Sequence, residues 1–484
     1  MPTVADVLTQ GWKVHQAGKV DQALRVYQHV IRQAPRNPEA HVYLGIALFD
    51  KRRFNDSIQS YRTAIELKKE FPVAWNNLGN SLRMVGDVDE SDACFEKALS
   101  MDPTYLSVYK NRGTLWIWSG QIERGLRWYE KGLEIAPNDA ELHRNLGVIY
   151  LLQGDYDRGW PEYRWRWKLG GLTRPGSAAP IWTGQPISGR SILLYPEQGR
   201  GDEMHFIRMA SLLSAEGARV VVQTDATMIP LFTSVRGIQS LLPTGSQLPP
   251  VDFQASFFDA VDGWYQANGQ LPVADEFFMA HGDHRGYLNV SDALVAYWRR
   301  WMDGQGWFDG TRNRIGIAWQ GNPKHHADVY RSMPLESFRP LAEDKDLRLI
   351  SLQFGFGSEQ LDEVDFGSAI ARLPDDTDAT GGAFTDTAAV MKNLDHVVTS
   401  DTSLAHLAGA LGIPTTLVLG KVPDWRWLRQ GDSTKWYPSM HLVRQTEMGD
   451  WADAIAKAHE SVRKVADRSA IKAPDRGETM RGLG

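Results

Sequence analysis

Along the first third of the chain, apolar and polar positions recur with a period of 34 residues. Gly11, Gly45, Gly79, Gly113 and Gly147 stand 34 apart, and the aromatics Tyr27, Tyr61, Phe95, Tyr129 and Tyr163 keep the same interval. Each period reads as a pair of helices, with glycine where the two approach and the aromatic in the groove between them. Pro35, Pro103 and Pro137 close three of the periods, where a residue without an amide donor stops the second helix. Four full units and a modified fifth are expected over residues 4–168. The fifth departs in GDYDRGWPEYRWRWKLGG, where the spacing of Trp160, Trp165 and Trp167 does not place all three on one helical face. They are expected to pack partly on the array and partly on the segment after it, the alternative being a capping helix.

The repeating unit resembles the tetratricopeptide repeat, whose stacked helix pairs complete one another's cores and present an extended groove. By that resemblance the array binds a protein or peptide, the plainer alternative being a spacer. Beyond a linker at 169–182, short aliphatic runs alternate with amphipathic stretches, which predicts βαβ units and parallel sheets. Strands are expected at 192–195, 219–223 and 238–242, with a helix over 202–216. A second block has strands at 314–319, 348–353, 396–400 and 415–419, with a helix over 402–411. The resulting fold class is α + α/β: an α-solenoid at 1–168, a Rossmann-like lobe at 183–284, a helical connection at 285–312 carrying Trp298, Trp301 and Trp307, a second Rossmann-like lobe at 313–467, and a polar, frayed tail at 468–484.

The chain has 484 residues, 42% apolar and 23% charged, with a net charge of -6. This is an ordinary globular composition, with no basic excess to suggest nucleic acid as a partner. The single cysteine, Cys94, excludes an intramolecular disulfide framework and any multi-cysteine zinc site. With neither a signal-like start nor an apolar run long enough to span a bilayer, no transmembrane segment is expected and the location expected is cytoplasmic.

Ligands of open α/β sheets sit beyond the carboxyl ends of strands, so the loops there carry the candidate chemistry. After the first strand, Gly199 and Gly201 permit close approach to an anion and Asp202 can cap the following helix. The second lobe opens with Trp319-Gln320-Gly321-Asn322-Pro323-Lys324, then His325, His326 and Arg331. Lys324 and Arg331 suit a diphosphate leaving group, and the adjacent histidines lack the carboxylate spacing of a metal site. In Asp401-Thr402-Ser403-Leu404-Ala405-His406, free amides at a helix start would face a phosphate, with His406 one turn on. Asp375-Asp376-Thr377-Asp378 reads as an acidic surface loop. The tryptophans of Pro423-Asp424-Trp425-Arg426-Trp427 and Trp436-Tyr437 read mainly as packing.

These loops, in this order, resemble two-lobed (GT-B type) glycosyltransferases of the heptosyltransferase and O-GlcNAc transferase type, and more closely bacterial proteins that fuse tetratricopeptide repeats to such a domain. By that resemblance the Gly-Asp turn falls on Gly201 and Asp202, making Asp202 the base on the acceptor hydroxyl. The Asp-Thr-x-x-x-His segment falls on Asp401, Thr402 and His406 around the donor phosphates, and Lys324 stands where heptosyltransferases place a cation. Ser403 replaces a glycine usual there. The run Glu203-Met204-His205 also departs from repeat-fused relatives and offers Glu203 and His205 as rival bases. The full donor and phosphate set expected is Gly199, Gly201, Trp319, Gly321, Asn322, Lys324, Arg331, Gln353, Asp401, Thr402, Ser403 and His406.

The activity implied is transfer of a sugar from a nucleotide-diphosphate donor to an acceptor hydroxyl, on a protein or glycan, by inverting displacement with neither metal nor cofactor. A non-catalytic repeat-based adaptor and a nucleotide-sugar epimerase of the same fold are the two alternatives.

Overall fold

The computed structural model describes residues 2–197, 199–273, 286–310, 312–325 and 327–472. Gln198, His326 and parts of the expected first lobe, helical connection and polar tail lie outside them. Two compact units are present: one from residues 2–151 and 155–169, the other from the described residues from Gly170 onward together with Leu152–Gly154.

The first unit is ten helices in five antiparallel pairs: α1 (Val4–Gln16), α2 (Val20–Gln33), α3 (Pro38–Asp50), α4 (Phe54–Leu67), α5 (Pro72–Val85), α6 (Val88–Met101), α7 (Leu106–Trp118), α8 (Ile122–Ile135), α9 (Ala140–Leu152) and α10 (Tyr156–Tyr163). Glycine is required where the first helix of each pair faces the aromatic of the second. A Cβ on Gly45 would lie 2.5 Å from the Tyr61 ring, and one on Gly11 2.7 Å from Tyr27. Twelve residues beyond each such glycine a small residue recurs, and Ser57 and Ser91 use that place to donate to the carbonyls of Gly45 and Gly79 at 2.8 and 2.7 Å. Stacking then joins neighbouring pairs into one core, as where Leu8, Leu24 and Tyr27 of one pair pack with Ala47 and Leu48 of the next. In the fifth pair, α10 gives way to a 3₁₀ turn at Arg164–Lys168. Trp160 is fully buried, and Trp165 stacks on His143 at 3.9 Å.

The second unit holds two wholly parallel sheets. The first comprises β1 (Ser191–Tyr195), β2 (Arg219–Thr224), β3 (Ile238–Pro243) and β4 (Phe253–Ser256), in the order β3-β2-β1-β4. The second comprises β5 (Asn313–Ala318), β6 (Leu347–Ser351), β7 (Ala371–Arg372), β8 (His396–Ser400), β9 (Thr415–Leu419) and β10 (Met440–Arg444), in the order β10-β9-β8-β5-β6-β7. In each, the founding strand lies between the second and fourth strands of its own set, so strand addition reverses beside β1 and β5. Such reversal points are where open α/β sheets bind ligands. The helices that matter below are α11 (Arg200–Phe206), α12 (Arg208–Ala215), α13 (Phe257–Asn268), α14 (Asp292–Gly304), α15 (Thr385–Met391), α16 (Ser403–Ala410) and α17 (Trp451–Lys472).

Several expectations need correction. The helix expected over 202–216 is two, broken at Ile207, because the carbonyls of Met204 and His205 are met by side chains: the Tyr287 hydroxyl at 2.8 and 3.0 Å, and the Arg208 guanidinium on His205 at 2.9 Å. The linker is not free to its end, since Pro180 and Trp182 exchange backbone hydrogen bonds with Gln254 of β4 and Trp182 is buried. The tail expected from Arg468 continues α17 to Lys472, the helix propagating beyond its buried stripe of Ala454, Ile455, Ala458 and Val462. Asp378 is no free surface acid. Its carboxylate accepts from the amides of Asp386 and Thr387 at 2.6 and 3.1 Å, at the start of α15.

Candidate functional site

At the carboxyl ends of the two sheets, the start of α11 after β1 meets the start of α16 after β8. A Cβ on Gly201 would sit 3.0 Å from the His406 ring and 3.3 Å from the Cα of Ser403, so a side chain there would force neighbours apart. Gly199, by contrast, is the N-cap of α11 and faces open space.

Asp202 does not cap α11, contrary to expectation. Its carboxylate pairs with Arg426, which lies 224 residues on and also donates to Asp424 at 2.7 Å. Burial pushes the Asp202 carboxyl up to about 6, with Arg426 pulling against it and Asp424 and Glu197 pushing the same way. Asp401 is likewise pushed up to about 6 by burial and Asp424, with Arg331 opposing. Carboxyls poised near neutrality suit proton transfer. Asp202, Asp401 and Asp424 therefore form one charge cluster with Arg331 and Arg426, with Asp328 beside Arg331.

The rival bases stand deeper. Glu203 is 4% exposed, accepts a short hydrogen bond from Thr224, and is pushed up to about 7 by burial. His205 is wholly buried, and neither ring nitrogen has a hydrogen-bond partner among the described residues. Burial, then the Arg208 charge, holds it well below its ordinary pKa and hence neutral. Its ring stacks on Phe206 at 4.2 Å and meets Trp436 edge-on at 4.6 Å.

Around α16, Thr402 is the N-cap, yet its side chain makes no capping bond. Its buried hydroxyl has no hydrogen-bond partner among the described residues. Ser403 opens the helix with a half-buried side chain. His406 turns into an aromatic cluster, with Nδ1 3.0 Å from the Tyr437 hydroxyl and its ring parallel to Trp427 at 5.5 Å. It is thus a packed group, not one open to a phosphate. Arg331 donates to the Asp401 carbonyl at 3.1 Å and lies 3.6 Å from Asp328, which brings the loop after β5 against the start of α16.

Two residues of the expected donor set are structural. Trp319 is fully buried, and its indole donates to the Gly357 carbonyl at 3.1 Å. Gln353 accepts from the amides of Trp319 and Gln320, both at 3.1 Å, and donates to the carbonyls of Gln320 and Phe356 at 3.0 and 2.7 Å. Neither has a polar atom left for a ligand. Gly321 donates to Ser332 at 2.9 Å, with no room for a Cβ beside Asp328 and Arg331. Asn322 accepts from the Lys324 amide at 2.9 Å in a local turn, and both residues are exposed, away from the buried cluster.

Sequence reasoning passed over Arg208, Asp424 and Arg426 as site residues. Arg208 is a fully buried cation that donates to the Trp436 carbonyl at 2.9 Å and to Tyr287 at 3.1 Å, tying α12 to the loop before β10. Its only signal in the sequence was an arginine in an otherwise apolar helix. Arg426 was visible only as part of a tryptophan-rich run, whose Trp425 and Trp427 are indeed buried.

Tetratricopeptide repeat families match at residues 9–74 and 72–105, and a TPR repeat family at 119–154. With the helix pairs above, these define the class: an N-terminal tetratricopeptide solenoid followed by an α/β region of parallel sheets. Protein FlbA of Caulobacter vibrioides is 24% identical over 298 residues, 59% of this chain and 48% of that protein. The chain thus spans about half the length of the curated relative it matches. Among solved structures, MamA is 23% identical, with a TM-score of 0.29, over 33% of this chain and 92% of that one. TTC0263, a thermophilic TPR protein in Thermus thermophilus, is 17% identical, with a TM-score of 0.32, over 35% and 92%. No helix among the described residues is long and apolar enough to cross a membrane.

Proposed function

We propose that the α/β unit is a cytoplasmic glycosyltransferase of GT-B type, using a nucleotide-diphosphate sugar as donor, while the repeats hold a protein or peptide, acceptor or partner. The observation that carries this reading is the meeting of Asp202, a carboxyl raised to about 6, with the start of α16, where the Thr402 hydroxyl is buried and has no partner among the described residues. An acceptor hydroxyl oxygen attacks the anomeric carbon and its proton passes to Asp202. The bond to the diphosphate breaks, and the departing electron pair stays on the diphosphate, opposite the attacking oxygen, which inverts the centre. Arg331 and the amides at the start of α16 offset the growing negative charge.

The test is a panel of nucleotide-sugars, screened by thermal shift and hydrolysis on wild type, Asp202→Ala and Thr402→Ala. A donor at 100 times its Kd adds about 2.7 kcal/mol. Asp202→Ala should keep the shift and lose turnover, and Thr402→Ala should lose part of the shift. One observation favours a second reading, that of a non-catalytic adaptor: Gly201 lies against Ser403 and His406, closing the place a diphosphate would take. A panel in which nothing shifts wild type selects that reading. A donor altered without any acceptor, its sugar epimerised, would select the epimerase instead.

A further inference from the structure

Beyond β6 the chain runs Gln353-Phe354-Gly355-Phe356-Gly357, with Phe354 39% and Phe356 52% exposed. The backbone that carries these rings is pinned. Both polar atoms of the Gln353 side chain are spent on backbone groups of Trp319, Gln320 and Phe356, and the Trp319 indole holds the Gly357 carbonyl at 3.1 Å. Gly355 and Gly357 take φ of +69° and +84°, and a Cβ on Gly357 would lie 2.6 Å from the Gln320 side chain. A rigid scaffold thus holds two apolar rings in water, locked to the segment after β5.

Position says what would cover them. β6 is the second strand of its sheet and neighbours β5 on the side away from β8. In sheets of this order the phosphates lie at the reversal point, and the nucleoside is met at the end of the second strand, commonly by an acidic side chain on the ribose. Here that place holds Gln353, which has no polar atom to spare, and then the two phenylalanines.

We propose that Phe354 and Phe356 form an aromatic platform for the base of a nucleoside diphosphate. The proposal rests on the donor reading above and deepens it. Every base has a π-face, so such a platform binds bases with little discrimination. Selection among donors must then come from elsewhere in the site.

Calorimetric titration of wild type, Phe354→Ala/Phe356→Ala and Phe354→Tyr/Phe356→Tyr with uridine, adenosine, guanosine and thymidine diphosphates, and with inorganic diphosphate, tests this. The alanine pair should bind the preferred nucleoside diphosphate about tenfold more weakly, with inorganic diphosphate unchanged, and the tyrosine pair should restore binding. Equal affinity of wild type and the alanine pair for the nucleoside diphosphate overturns the platform while leaving the donor reading intact. Parallel loss of nucleoside diphosphate and inorganic diphosphate overturns it too, since the effect then lies in the loop and not in the base. If wild type binds none of the nucleoside diphosphates, the donor reading falls and the platform with it.

Discussion

Replacing Glu203 with glutamine should stabilise the α/β unit by an amount that grows as pH rises from 4.5 to about 7 and is constant above. Glu203 is 4% exposed, and burial moves its carboxyl from an ordinary 4.5 to about 7. The folded state therefore holds a proton that the unfolded chain has released, at every pH between those values. Stability from this group is fully present below pH 4.5, falls as the unfolded chain alone ionises, and is wholly lost once pH has risen through about 7 and the buried carboxyl ionises too. Each pH unit between the two values is worth about 1.4 kcal/mol, so the charged carboxylate costs the fold about 3 kcal/mol above pH 7. Glutamine is neutral throughout, and its carbonyl can still accept from Thr224, the partner of Glu203. Urea unfolding of wild type and Glu203→Gln, followed by pulse proteolysis so that the two units are read apart, should give matching midpoints near pH 4, below the ordinary value of the carboxyl. Near pH 8 the variant should be more stable by about 2 to 3 kcal/mol. A variant less stable at both pH values by the same amount would refute the reasoning. It would show that the residue stays ionised and that its bond with Thr224, not its burial, governs its contribution.

In the repeats, Gly45→Val drives a branched side chain into the Tyr61 ring, which is 2% exposed and cannot retreat. Overpacking of this kind costs about 1 to 3 kcal/mol, which thermal melts followed by far-ultraviolet circular dichroism would register as an earlier loss of helix. Arg426→Gln strips the cation from Asp202 and Asp424. The loss should reach about 3 kcal/mol above pH 7 and shrink near pH 5, where Asp202 is protonated and needs no partner, as urea midpoints at the two pH values would show.

How much could be read from the sequence depends on the range of the forces involved. The repeats were legible because a helix pair closes within 34 residues, so glycine and aromatic meet at a fixed spacing that the chain preserves. The central strands β1, β5, β8 and β9 were legible as apolar runs, being covered on both faces. β4, β7 and β10 were missed: β7 has two residues, and Gln254 in β4 and His441 and Arg444 in β10 interrupt the apolar signal. Within the site, strand-turn-helix patterns placed Asp202 and Thr402, since a strand end and a helix start are local events. The partner of Asp202 was not legible, because 224 residues separate it from Arg426 and only tertiary packing brings them together. Trp319 and Gln353 sit at strand ends too, and position alone cannot tell a ligand contact from a bracket that holds the loop.

The charges of the crevice show why those unpredicted partners matter to the proposed chemistry. Asp202, Asp401, Asp424 and Asp328, the last 3.6 Å from Arg331, outnumber Arg331 and Arg426, so the place is already short of cations before any anionic donor arrives. Burial and the mutual repulsion of the acids answer this by pushing Asp202 and Asp401 up to about 6, which lightens the negative load at mildly acid pH. The two buried histidines cannot help, since burial and the nearby guanidiniums hold both well below their ordinary pKa. In the proposed reaction Arg331, which shares its charge with Asp328, and the start of α16 would meet the diphosphate, while Arg426 is held between Asp202 and Asp424. The two arginines therefore play different parts. Arg426 holds the Asp202 carboxylate, which the proposed reaction would use as its base, and Arg331 is anchored on the Asp401 carbonyl, where that reaction would set the leaving group.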